Sequence, residues 1–213
     1  MRAKTYFHSD SRPFAEGYQT RSLYPYVKRG LEVLLSLGLL LFTLPVMILA
    51  AFAIKLESPG SVFYKQERVG HRGRNFQVIK LRSMRTDAEK NGPQWAAKND
   101  PRVTKVGQFI RKTRIDELPQ LINILRGDMS LIGPRPERPM FTDQFDKEIP
   151  GFKNRLAVKP GLTGWAQVNG GYESTPAEKL EFDLYYIRKQ SFKLDLQILW
   201  KTVLVVFTGD GAR

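Results

Sequence analysis

The 213-residue sequence has no cysteine and only two histidines, His8 and His71. Without thiols there is no disulfide frame, thiolate zinc site, iron–sulfur cluster or cysteine nucleophile. His8 sits in a polar N-terminal stretch and His71 in the loop Gly70-His71-Arg72-Gly73, so neither a histidine metal cage nor a Ser-His-Asp triad is supported. Internal repeats and low-complexity linkers are missing too, so the chain outside its apolar segment reads as one unit. Acidic residues are scarce: 21 Asp and Glu stand against 34 Lys and Arg, a formal charge of +13. That excess predicts an anionic partner, whether nucleic acid, anionic lipid or a phosphorylated substrate. Catalysis, if present, falls to carboxylates, basic groups and an oxygen-seeking metal.

The chain is 42% hydrophobic, enough to build a core. From Val33 to Ile54 it runs VLLSLGLLLFTLPVMILAAFAI, 22 residues without a charge. As a helix this reaches ~33 Å, long enough to cross a bilayer. A signal peptide fits poorly, because ~30 residues precede the run and it exceeds an ordinary apolar h-region. Basic residues flank it on both sides, among them Lys28 and Arg29 before, Lys55, Lys65 and Arg68 after, so both flanks read as cytoplasmic. Pro45 lies just past the middle and removes one backbone donor. Charge and proline leave open both a kinked spanning helix and a re-entrant helix-break-helix.

Residues 1–27 form a polar and aromatic lead-in, 28–55 the membrane segment, and 56–213 the remaining domain. Ser61 to Glu67 and Asn75 to Leu81 are β-rich runs separated by the Gly70 and Gly73 loop, which predicts a hairpin. Thr86 to Asn99 is polar and read as helical, with a break at Asp100-Pro101. Leu118, Leu121, Ile122 and Leu125 have the spacing of one buried helical face, and Gly127 is the stop. Pro119 belongs in a first turn, which makes Asp116 the expected N-cap and Glu117 the first helical residue. GPRPERP, Gly133 to Pro139, must be a rigid loop presenting Arg135 and Arg138. Leu196, Leu199, Trp200, Val203 and Phe207 repeat at helical spacing, which fits either core packing or a membrane interface. The fold class is therefore α+β, mainly helical, with a membrane helix, a small β-hairpin and interfacial amphipathic helices.

Five blocks taken together, KQERVG (65–70), KLRSM (80–84), DPRVTKVGQFIRKT (100–113), DELPQLINILRGDMSLIGPRP (116–136) and KPGLTGWAQVNG (159–170), resemble the monotopic phosphoglycosyl transferases. These are bacterial sugar transferases that act on polyprenyl phosphate. The resemblance runs from about Val27 to near the C-terminus, and the length fits the small form of the family. It implies transfer of a sugar-1-phosphate from a UDP-sugar to undecaprenyl phosphate with release of UMP, a magnesium cofactor, and a re-entrant helix in the cytoplasmic leaflet of the bacterial cell membrane. It assigns Asp116 as nucleophile and Glu117 as the magnesium-associated carboxylate. Lys80, Arg82, Arg111 and Arg135 are matched to basic active-site positions, with Pro134-Arg135-Pro136 expected near the nucleotide. Asp195 matches a late aspartate expected to pair with Arg111. Two departures stand out: the Ser-Pro break of well-known members is Leu44-Pro45 here, with Thr43 one position back, and a lysine-phenylalanine-arginine block reads Lys80-Leu81-Arg82.

Each of these residues also has a plainer explanation. Asp116 could only cap its helix, or form a capping box with Thr113. Asp195 could cap the last helix. A basic membrane-tethered module binding acidic lipid or nucleic acid would account for the charge and the apolar run. It would not account for DELPQ and GPRP occurring together, and the chain lacks zinc-finger, RNP-like and basic-zipper motifs, so nucleic acid is not the expected partner. Sugar identity and oligomeric state are not written in any of these motifs.

Overall fold

Helix α1, Tyr24–Glu57, is the first element in this computed structural model, which describes residues 23–90, 92, 94, 100–170 and 174–208. Most of the lead-in therefore lies outside the described residues, and its last part already belongs to α1. The 34-residue helix carries Pro45 inside it and continues without interruption, so the expected break is not a gap in the helix. Thr43 Oγ1 back-bonds to Leu39 O at 2.7 Å. It does not serve the carbonyl of Leu41, which Pro45 deprives of its donor. Proline and hydroxyl back-bonding both bend helices, and here they coincide.

One stripe of α1 faces the rest of the molecule: Glu32, Ser36, Met47, Ala50 and Ile54 are buried at helical spacing. The opposite face is bare, with Phe42 82% and Leu49 71% exposed. Both ends dock on the same body. At the start, Arg29 donates to Ile124 O (2.7 Å) and Leu125 O (3.1 Å). At the end, the Glu57 carboxylate accepts from the backbone of Lys105 (2.8 Å) and Val106 (3.1 Å), where a helix N-terminus favours negative charge.

The hairpin forms as read: strands β1, Phe63–Val69, and β2, Asn75–Leu81, pair antiparallel with Tyr64 opposite Lys80. The segment after it is not helical where it is described; residues 86–90 are turns. Helix α2, Lys105–Lys112, is capped by the Thr104 hydroxyl on Gly107 N. Helix α3, Gln120–Arg126, ends at Gly127, whose left-handed φ of 91° suits the residue that was expected to stop it. Strand β3, Ser130–Ile132, pairs parallel with β4, Gly161–Thr163. Helices α4 (Pro139–Glu148), α5 (Trp165–Asn169), α6 (Pro176–Lys189) and α7 (Phe192–Thr208) complete the domain.

The main core gathers Val78, Ile124, Met129, Ile132, Tyr186 and Ile198, joining β2, α3, β3, α6 and α7. A second cluster, Ala50, Ile54, Leu81 and Ile110, fixes α1 and α2 to the hairpin. On α7 the buried residues are Leu194, Asp195 and Ile198, whereas Leu196, Trp200 and Val203 point outward. Among the described residues the apolar stripe read from the sequence thus lies mostly on the face away from the core, with Leu199 packed against it.

Candidate active site

The acidic pair is delivered by a sharp change of direction rather than by a regular helix start. Gly107 of α2 packs so closely on Ser83 that a Cβ there would collide with the Ser83 carbonyl. After α2, Arg114 takes a left-handed conformation (φ 57°), uncommon for a side-chain-bearing residue, and Ile115–Glu117 form one 3₁₀ turn before α3. Asp116 is therefore not an N-cap; it is the middle residue of that turn. Nor does Thr113 form a capping box, since its hydroxyl bonds back to Phe109 O at 2.8 Å.

Glu117 is held by two cations. Lys80 Nζ donates to its Oε1 at 2.8 Å, and Arg135 Nη2 donates to the same oxygen at 2.5 Å. Burial alone would raise the Glu117 carboxyl, but Arg135 and Lys80 outweigh it and hold Glu117 well below the usual carboxylate range. Burial in turn lowers Lys80, opposed by Glu117. Lys80 is placed by Asn123, which is fully buried on α3 and completes the free edge of β2. Its side chain accepts from Ile79 N (3.1 Å) and donates to Gln77 O (2.8 Å), so strand and acidic turn form one unit.

Asp116 differs from its neighbour. It is buried, yet among the described residues its carboxylate has no hydrogen bond and no ion pair. It lines a cavity of about 550 Å³ whose walls include Lys80, Arg111, Glu117 and Arg135. Burial pushes its carboxyl up to about 6, against the pull of Lys80. One carboxylate is thus locked by salt bridges and the other is left open.

Other expected site residues sort differently. Arg111 lines the cavity near Asp116 without pairing it. Arg82 touches the cavity wall, but its guanidinium donates to Pro59 O (2.7 Å) and Ser58 O (2.8 Å) and so anchors the exit of α1. Pro134 and Pro136 line a separate small crevice behind Arg135. Asp195 does not pair with Arg111. Its partners are Lys28 at 3.1 Å, Tyr24 at 2.7 Å and Tyr186 at 3.0 Å, because α7 lies against the start of α1.

Comparison with known sequences fits this arrangement. A family model described as bacterial sugar transferase matches residues 23–209. The chain belongs to that family. It is 49% identical over 194 residues to a UDP-N-acetylgalactosamine-undecaprenyl-phosphate N-acetylgalactosaminephosphotransferase from Aeromonas hydrophila, covering 90% of this chain and 46% of that protein. It is 43% identical over 191 residues to the UDP-glucose:undecaprenyl-phosphate glucose-1-phosphate transferase of Escherichia coli (strain K12), with 87% and 41% covered. It is also 39% identical over 195 residues to the exopolysaccharide production protein PSS of Rhizobium leguminosarum bv. phaseoli, with 87% and 98% covered. The chain spans less than half the length of the first two of these relatives.

For magnesium, this bacterial sugar transferase offers a small donor set. No three His, Asp or Glu side chains converge as a cage among the described residues. Magnesium does not need one, since it is commonly held by one or two carboxylates, phosphate oxygens and water. Glu117 Oε1 is saturated by its two cations, whereas Oε2 has only a long 3.4 Å contact to Arg135 Nη1. Glu117 Oε2 and the open Asp116 carboxylate are the acidic oxygens at this site with capacity left for a divalent cation.

Several residues around the site were not read as site residues from the sequence, although Arg68 lies within the KQERVG block. Arg155, buried within a short 3₁₀ segment at Phe152–Ala157, donates to the backbone of Arg135 at 2.9 Å and pairs with buried Asp183 at 2.6 Å. Arg68 donates to Pro136 O at 3.1 Å. Asp183 left a local trace: it is a charge on the otherwise apolar face formed by Leu180 and Ile187 of α6.

Proposed function

We propose that this chain transfers a sugar-1-phosphate from a UDP-sugar to undecaprenyl phosphate, releasing UMP, at the cytoplasmic face of a bacterial cell membrane. The reading rests on one observation: a buried, unpaired aspartate faces a cavity with cationic walls, beside a glutamate already committed to two of those cations. Family membership supports the same class of acceptor and donor, and the named relatives act in undecaprenyl-phosphate sugar phosphotransfer or exopolysaccharide production. The product would enter glycoconjugate synthesis.

Asp116 attacks the phosphorus that bears the sugar. A bond forms from a carboxylate oxygen to that phosphorus, and the bond to the bridging oxygen breaks, with its electron pair leaving on UMP. Undecaprenyl phosphate then attacks the same phosphorus, breaking the Asp116 oxygen–phosphorus bond and restoring the carboxylate. With its carboxyl at about 6, Asp116 is mostly ionised at neutral pH and needs no general base. Arg135, Lys80 and Arg111 stabilise the charge that gathers on the leaving UMP. Glu117 would hold magnesium, which would supply charge neutralisation between carboxylates and diphosphate. Holding Glu117 ionised and oriented is the task of Lys80 and Arg135.

The docking of α1 supports this membrane placement. Its two ends bind one globular body, and its middle exposes Phe42 and Leu49, which supports a segment that enters and leaves on the same face. The outward apolar stripe of α7 adds a second contact with the lipid interface.

Incubation of purified protein with UDP-sugar labelled in the sugar-bearing phosphate should leave label on the protein. Asp116→Asn should carry none. Label retained by that variant would move the nucleophile elsewhere. A panel of UDP-sugars assayed for UMP release identifies the donor.

A further inference from the structure

The loop Pro134-Arg135-Pro136 has a structural difficulty. Two of its three residues lack a backbone donor, so the segment cannot be held by a strand ladder over its full length. Its first part is fixed by close backbone approach. Gly133 N donates to Thr163 O and Gly161 N donates to Pro134 O, both at 2.9 Å. Gly133, Gly161 and Gly164 are glycines because a Cβ on any of them would collide with facing backbone. Beyond Pro134 this support ends, and the next carbonyls point toward guanidinium groups.

The carbonyl of Arg135 accepts from Arg155 Nη2 at 2.9 Å. Arg155 is 5% exposed and rests over the Phe152 ring. Its Nε and Nη2 both bind Asp183 Oδ2, at 2.9 and 2.6 Å, and Asp183 is 1% exposed on α6. An unbroken chain of contacts therefore runs from Asp183 to Arg155, to the backbone of Arg135, and through the Arg135 side chain to Glu117. A rigid fork suits this position because one guanidinium satisfies a carboxylate and a carbonyl at once.

We propose that the Arg155–Asp183 pair is a positioning device for the transfer step, aiming Arg135 at Glu117 and at the departing phosphate. Neither residue contacts Asp116. Their effect on rate passes through Arg135. This rests on the function proposed above, so the test separates the two.

The probe is UMP release from UDP-sugar with magnesium and undecaprenyl phosphate. If the wild-type chain releases no UMP with any UDP-sugar, the functional reading fails and the positioning role with it. If the wild type is active, the variants decide the positioning role alone. Arg155→Met combined with Asp183→Leu replaces the buried ion pair by apolar groups of similar size, a change that often preserves a fold. It should keep the wild-type melting temperature within a few degrees yet lose at least tenfold in kcat, with KM for the UDP-sugar changed less than threefold. Arg155→Lys, which retains charge but can serve only one partner well, should fall between.

A further readout distinguishes positioning from general loosening. On an Arg135→Gln background the same Met/Leu replacement should cost less than twofold, because the group it aims is gone. Activity of the Met/Leu protein within twofold of wild type would overturn the proposal. Equal losses on both backgrounds would do the same.

Discussion

Tyr24 donates a 2.7 Å hydrogen bond to Asp195 across 171 positions of sequence, joining the first turn of α1 to the last helix, α7. Lys28 lies 3.1 Å from the same carboxylate and donates to Tyr186 at 2.5 Å, so three helices share one buried polar cluster. Glu32 extends it by accepting from Ser130 Oγ and, at 3.2 Å, from Leu131 N. Such clusters hold only when complete, since each lost partner leaves another polar group buried without compensation.

Asp195→Ala should therefore cost about 3 kcal/mol, the range for breaking a buried pair, and lower the melting temperature by roughly 5–10 °C. Partners can be told apart by double-mutant cycles read as thermal unfolding in detergent. Asp195→Asn with Lys28→Met should be coupled by more than ~1 kcal/mol, whereas Asp195→Asn with Arg111→Gln should be additive within ~0.5 kcal/mol. Coupling to Arg111 instead would mean that the aspartate serves the active site directly.

Asp116 should be a residue that weakens the fold it serves. Its carboxyl, ordinarily near 3.8, is pushed up to about 6 by burial. Protonation then favours the folded chain, so the cost of the charge is full above pH 6 and fades as the pH falls toward 4. Asp116→Asn should raise stability at pH 7.5 by on the order of 2 kcal/mol, a gain that shrinks on acidification. Melting curves across that range check the sign. A variant less stable than wild type at pH 7.5 would contradict a desolvated, unpaired carboxylate.

How far the sequence reveals this site depends on the range of each interaction. The hairpin, α3 and its Gly127 stop were legible because alternation, helical spacing and a left-handed glycine are local signals. Asp116, Glu117, Lys80, Arg111 and Arg135 were legible as a set, through motif order, and the fold brings them around one cavity. Asp195 was assigned the wrong partner because nothing local to Lys193-Leu194-Asp195 reports that Lys28 lies opposite. The Asp116 cap was misjudged for a different reason: Pro119 does mark a first turn, but a left-handed Arg114 and a 3₁₀ turn intervene. Asn123 and Arg155 act through backbone atoms of distant residues, and such partnerships leave no pattern in a single sequence.

Glu117→Gln should alter how the site responds to alkali. Lys80 is lowered by burial, and Glu117 is the first influence that holds it up. Removing that charge lets Lys80 fall further, so it loses its proton at a lower pH. Calorimetric titration with UDP should then show binding that weakens on the alkaline side earlier in Glu117→Gln than in wild type. Lys80→Gln should abolish the alkaline limb in both backgrounds. An unchanged limb in Glu117→Gln would show that Lys80 does not depend on this carboxylate.

The re-entrant placement proposed for α1 is testable through the sidedness of its two ends. At 1.5 Å per residue its 34 residues extend about 51 Å, well beyond the ~30 Å of a hydrocarbon core. Were the helix to span, its start and end would emerge on opposite faces, and Arg29 with Ile124 and Glu57 with Lys105 could not both be satisfied by one domain. Because the chain has no cysteine, single-cysteine variants report cleanly. Leu23→Cys and Leu56→Cys, at positions 76% and 77% exposed, should both react with a membrane-impermeant maleimide only from the cytoplasmic side. Phe42→Cys, on the bare apolar face, should react from neither. Labelling of the two ends from opposite sides would require the domain contacts of one end to be abandoned in the membrane.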